Sequence, residues 1–104
     1  MLDFGFATFE EVCKELAARL KAQRLAQLLT QADLAGRSGV SLGTVKNLEA
    51  KGQSSLESFI RIVLALGLAD QLAPLFTLQV KTIAQMEQAE QSQRKRVRKS
   101  RAQA

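Results

Sequence analysis

The stretch 31–50, QADLAGRSGVSLGTVKNLEA, constrains the fold of this 104-residue chain more than any other part. It holds start and stop signals for two short helices. Thr30-x-x-Asp33 just before it is a capping-box signature, in which a hydroxyl and a carboxylate each satisfy an amide that the first helical turn leaves unpaired. Leu29 and Leu34 flank this cap as a hydrophobic staple. The helix it starts spans 31–38 and stops at Gly39, the residue type that takes up a left-handed C-cap at least steric cost. Ser41 then caps a second helix over roughly 42–50, with Val40 and Val45 as its staple. Ala35 is small where the two helices must approach, and Val45 and Leu48 face the core. Leu42, Gly43, Lys46, Asn47 and Ala50 are left facing outward. Two short helices joined by a glycine-containing turn form a helix-turn-helix, the usual way for a small protein to lay a helix in the DNA major groove.

The flanking sequence supplies the support. No β-branched alternating run is present and proline occurs once, at Pro74, so the chain reads as all-α. Thr8-x-x-Glu11 caps a first helix that ends near 26–28, with Phe9, Val12, Cys13, Leu16, Ala17 and Leu20 on its apolar side. Cys13 reads as a small core residue. Ser54-x-x-Glu57 opens a fourth, strongly apolar helix containing Leu56, Phe59, Ile60, Val63, Leu64 and Leu66, and Gly67 closes it. A short fifth helix follows over roughly 69–76, limited by Pro74. The domain plan is an N-terminal segment (1–8), a helix-turn-helix domain (9–76) and a basic tail (77–104). Residues 77–81 read as extended segment or linker, and 82–92 as helical only with something packed on them. The run from Gln93 onward reads as disordered when free, so the tail as a whole is partly helical or disordered.

Charge is unevenly placed. Residues 1–80 carry eight basic and eight acidic side chains, whereas 81–104 carry seven basic and two acidic ones, so the whole net charge of +5 lies in the last quarter. A basic tail beside a neutral body suggests a polyanionic partner, or serves solubility alone. With no histidine and one cysteine, no ordinary zinc site and no internal disulfide can form, which fits a reducing cytoplasm. The opening MLDFGFATFEEV lacks the basic lead of a secretory signal, and no apolar run approaches the roughly 20 residues of a membrane helix. No nucleophile–base pair or glycine-rich phosphate loop is present, so neither catalysis nor a cofactor is expected.

The pattern TQADLAGRSGVSLGTVKNLE followed by SSLESFIRIVLALGL resembles the Xre/phage-repressor type of helix-turn-helix domain, which has five helices. Within that type, the segment 39–76 with a basic tail is similar to HipB-like antitoxins, encoded beside HipA-family kinase toxins. The resemblance implies a cytoplasmic homodimer that binds operator DNA, represses its own operon and associates with a HipA-like kinase or an associated small subunit. It also implies roles for individual residues. Gln31 contacts DNA backbone or braces the recognition helix, and Ser41 contacts a phosphate. Leu42, Gly43, Lys46 and Asn47 occupy base-reading positions, and Thr44 and Lys51 backbone-contacting ones. Leu42 and Gly43 depart from the polar side chains often found there; a leucine can touch a thymine methyl but cannot hydrogen-bond a base edge. Lys46, suited to guanine, and Asn47, suited to adenine, are left as the main direct readers. Leu68, Leu72, Leu75 and Phe76 fall on the helix that forms the dimer seam in the family. Two other readings remain open: a free-standing phage-repressor-type regulator with no toxin partner, and an interaction module that no longer touches DNA.

Overall fold

The structure, a computed structural model, describes residues 2–79 and 83–103, with side chains up to Arg94. Among the described residues all regular structure is helical: α1 (Phe9–Ala26), α2 (Gln31–Ser38), α3 (Leu42–Lys51), α4 (Leu56–Ala65), α5 (Ala69–Leu72) and α6 (Ile83–Gln103). The chain divides after Ala73 into two units.

The first unit is built by its caps. Thr8 and Glu11 form a complete capping box on α1, as do Thr30 and Asp33 on α2. The Thr30 backbone and side chain hydrogen bonds hold the Asp33 carboxyl below its ordinary value. Gly39 ends α2 in the left-handed conformation at φ +73°, and the Ser41 hydroxyl accepts from the Thr44 amide at 3.0 Å to start α3. At α4 the cap lies one residue beyond the expected one: Ser55, not Ser54, accepts from the Ser58 amide at 3.1 Å. Glu57 is then free of capping and pairs with Arg61 one turn on, at 3.1 Å. The fifth helix is shorter than expected, stopping at Leu72 ahead of turns at 73–76, because Pro74 lacks the amide that would extend the ladder.

The core is Ala17 and Leu20 from α1, Leu29 before α2, Leu34 and Ala35 from α2, Val45 and Leu48 from α3, and Ile62, Val63 and Leu66 around α4. Burying each of the larger of these side chains contributes about 1.5–3 kcal/mol. The buried stripe of α1 is narrower than the expected apolar side: it runs Ala17, Leu20, Arg24, leaving Phe9 and Cys13 exposed. Cys13 is therefore a surface residue and not the small core residue its spacing suggested. Gly52 (φ +69°) closes α3 so tightly against α1 that an added Cβ would stand 2.9 Å from the Cys13 carbonyl carbon. Leu68 and Leu72 pack against the core from its edge. In the N-terminal segment the Arg19 guanidinium lies over the Phe4 ring, 5.1 Å from its centre, while Phe6 is exposed.

In the second unit, Leu75 and Phe76 are exposed, and 77–79 have no regular structure; the rest of the ambiguous 77–81 segment lies outside the described residues. Of the two states expected for the tail, α6 takes the helical one for its backbone. The side chains of Lys95, Arg96, Arg98, Lys99 and Arg101 lie outside the described ones.

Helix α1 ends in an unusual way. Leu28, 91% exposed, takes φ +58°, and the Leu29 amide donates back to the Arg24 carbonyl at 3.1 Å, closing the terminus around a left-handed residue. An L-residue with a side chain loses roughly 1–2 kcal/mol in that conformation, and glycine does not. Leu28→Gly is predicted to raise stability by about 0.5–1 kcal/mol in urea denaturation, after allowance for the greater freedom of unfolded glycine. A loss of stability would instead reveal a packing role for the leucine side chain.

Candidate nucleic-acid interface

The 3.6-residue period divides α3 into two sides. Val45 and Leu48 are buried and Thr44 and Glu49 half-buried, whereas Leu42, Gly43, Lys46, Asn47, Ala50 and Lys51 are exposed. Leu42 and Lys46 lie in one i, i+4 row, Gly43 and Asn47 in the next, and Lys51 continues the second. The exposed side thus brings together the four expected base-reading positions and Lys51. Ser41 and Thr44 stand at its start, their hydroxyl oxygens 2.8 Å apart. The Asn47 amide donates to the Gln53 carbonyl at 3.2 Å, which ties it to the loop after α3.

Beneath this side lies an ion pair. The Arg24 guanidinium meets the Glu49 carboxylate through two bonds, Nε to Oε2 at 2.7 Å and Nη2 to Oε1 at 2.9 Å, with side-chain exposures of 8% and 6%. Arg24 Nη1 donates to the Leu29 carbonyl at 2.7 Å. The Gln31 side-chain amide donates to Glu49 Oε1 at 3.1 Å. Gln31, expected either to touch DNA backbone or to brace α3, makes the brace directly: the first residue of α2 is hydrogen-bonded to the last turn of α3. Burial pushes the Glu49 carboxyl up, but the hydrogen bonds from Arg24 and Gln31 and the positive charges of Arg24 and Lys21 outweigh it and hold the carboxyl below its ordinary range. The same hydrogen bond to Glu49, opposed by burial, raises the Arg24 guanidinium further above neutrality. Among the described residues no buried side-chain polar atom lacks a hydrogen-bond partner.

A helix-turn-helix family profile matches residues 20–72, from the buried part of α1 to the last residue of α5. The chain belongs to the helix-turn-helix family of Xre and phage-repressor type. A comparison with curated proteins finds no match. Helix-turn-helix proteins of this type are DNA-binding transcription regulators, generally without enzymatic activity, and α2–turn–α3 is the helix pair that defines them here. Among the described residues no helix is long and apolar enough to cross a membrane, and no three His, Cys, Asp or Glu side chains cluster as metal ligands would.

An ion pair and a glycine that contribute to this helix-turn-helix escaped sequence reasoning. Arg24 and Glu49 each continue a buried helical stripe, Ala17–Leu20–Arg24 on α1 and Val45–Leu48–Glu49 on α3. Opposite charges at core-periodic positions of two helices were the available signal. Gly52 was the other, marked only as a glycine directly after the last turn of α3.

The depressed carboxyl has a pH consequence. A group whose pKa falls on folding contributes stability that is complete above its unfolded value, 4.5 for Glu49, and is lost as pH falls through the folded one. Stability of the intact chain should therefore decline below about pH 4.5 in part through this residue. Glu49→Gln, which leaves Arg24 without its counter-charge, is predicted to destabilise by about 3–5 kcal/mol at pH 7 and to flatten the acid limb of the stability–pH curve. Parallel curves for the two proteins would show that the pair contributes nothing to acid unfolding.

Proposed function

We propose that the protein is a homodimeric, operator-binding repressor that reads DNA with α3 and represses its own operon. The observation that carries this is the exposed row Leu42, Gly43, Lys46 and Asn47 on a helix whose opposite side is anchored by Val45, Leu48 and the Arg24–Glu49 pair. Lys46 reads guanine O6 and N7, and Asn47 reads adenine N6 and N7. Ser41, Thr44, Lys51 and the free capacity of the Gln31 amide contact the phosphates on either side. The twofold seam lies at Leu68, Leu72, Leu75 and Phe76; Leu68 and Leu72 pack at the edge of the first unit's core, and Leu75 and Phe76 are exposed. The basic sequence of α6 adds phosphate contacts that raise affinity for any duplex and steepen its salt dependence. Such a protein works in the cytoplasm, on the nucleoid.

The repressor is also the antitoxin half of a HipBA-like operon, bound to a kinase toxin or to a small subunit associated with it. The similarity of residues 39–76 and the basic tail to HipB-like antitoxins supports this. Affinity capture of the tagged full chain from its native host should recover a kinase encoded next to it. Recovery of DNA and of the chain alone would leave a free-standing regulator.

The operator reading has its own test. On the chain's own promoter, nuclease protection should show two half-sites about 34 Å apart, one helical turn. Lys46→Ala with Asn47→Ala should remove that protection, since each hydrogen-bonded base reader is worth about 1–3 kcal/mol. Protection of the same bases by the double variant would move base reading to other residues. A single protected half-site would dismiss the dimer.

A further inference from the structure

We infer that each half-site is recognised at the start of α3 through the C5-methyl group of a pyrimidine, thymine or 5-methylcytosine, seated on Leu42 beside Gly43. The inference rests on the major-groove reading above. The Ser41 and Thr44 hydroxyls are committed to the cap and to one another, which leaves one O–H for a backbone phosphate: the Ser41 hydroxyl accepts from the Thr44 amide at 3.0 Å, and the two hydroxyl oxygens are 2.8 Å apart. Thr44 is half-buried besides. What the first turn presents outward is Leu42, 40% exposed, and Gly43. Around Gly43 the surface is open, since a Cβ built there would find nothing closer than the Ser41 hydroxyl at 3.8 Å. The result is a hydrocarbon knob next to a flat, side-chain-free step.

In the major groove the base edges carry hydrogen-bonding groups almost everywhere, and the hydrocarbon group among them is the C5-methyl of thymine. 5-Methylcytosine carries a methyl at the same ring position. A polar edge pressed against Leu42 would be stripped of its water and gain no partner, so leucine discriminates against it. A methyl so placed is buried on both sides. The hydrogen-bonding readers then follow one turn later, Lys46 four residues after Leu42 and Asn47 four after Gly43. Each half-site is thus divided between a methyl-reading end and a hydrogen-bond-reading end.

The test uses the full chain and an operator duplex that it selects from random sequence. Replacing each thymine in turn by deoxyuridine removes the methyl and leaves the pairing intact. One position per half-site should weaken binding about fourfold, the worth of one buried methyl group, and changing both half-sites about fifteenfold. At that position duplexes carrying T·A, U·A, 5-methylcytosine·G and C·G separate the two sources: each methylated base should bind about fourfold more tightly than its unmethylated partner. Leu42→Ala, and Leu42→Gln as a second variant with a long helix-forming side chain, should bind thymine and uracil duplexes alike. A flat uracil scan on an operator that the chain still protects would overturn the methyl reading and leave the α3 assignment standing. Uracil sensitivity that persists in both variants would overturn the role of Leu42. Failure to select any duplex would instead dismiss DNA reading as a whole.

Discussion

The geometry of the first unit depends on one buried interaction, the two-bond pairing of Arg24 with Glu49. Taking both charges out of water costs several kcal/mol per ion, offset only when the geometry is good and the remaining donors and acceptors find partners. Here they do: Arg24 uses Nε, Nη1 and Nη2, and Glu49 both oxygens. The groups that satisfy them come from the end of α1, the Leu29 carbonyl, the first residue of α2 and the last turn of α3. An apolar cluster could hold those segments as firmly, but not as directionally. A guanidinium fork donates to its carboxylate in one plane, so the rotation of α3 about its axis is set by hydrogen bonds as well as by the shapes of Val45 and Leu48. That rotation decides which residues of α3 point outward.

The pairing also shapes the electrostatics. Because Arg24 and Glu49 neutralise one another, and residues 1–80 balance overall, the helix-turn-helix body exerts little net pull on a polyanion. Attraction rests on individual placement. Among the described residues Lys46 and Lys51 on α3 take part in no ion pair, whereas Arg19 and Arg61 are matched with Glu15 and Glu57. Bulk positive charge belongs to the sequence of α6 instead. On the proposed reading, long-range attraction and short-range discrimination sit in different units of the chain, the one sensitive to salt and the other to contact geometry.

Much of this was legible from residues because it is local. Capping boxes at Thr8 and Thr30, the left-handed Gly39 and the Ser41 cap each depend on neighbours within three or four positions, and α2 and α3 follow from them. The outward row on α3 followed in turn from its period. One cap was misplaced by a residue: the Ser54-x-x-Glu57 reading gave way to Ser55, with Glu57 satisfied by Arg61. What needed the fold was everything set by which helices meet. The ion pair joins residues 25 apart, and the tight seat of Gly52 on Cys13 joins α3 to the first half of α1. The exposure of Cys13 is likewise invisible in the apolar pattern of α1 alone.

The hydrogen bond from Asn47 to the Gln53 carbonyl couples two tasks in one side chain. On the proposed reading, the amide that reads a base also fastens the loop between α3 and α4, so any residue substituted there must replace a splice as well as a letter. Lys46, held by no such bond among the described residues, is unencumbered. Descendants of this chain that acquire new operators should therefore drift first at Lys46, and only later, with matching change in the 52–55 loop, at Asn47.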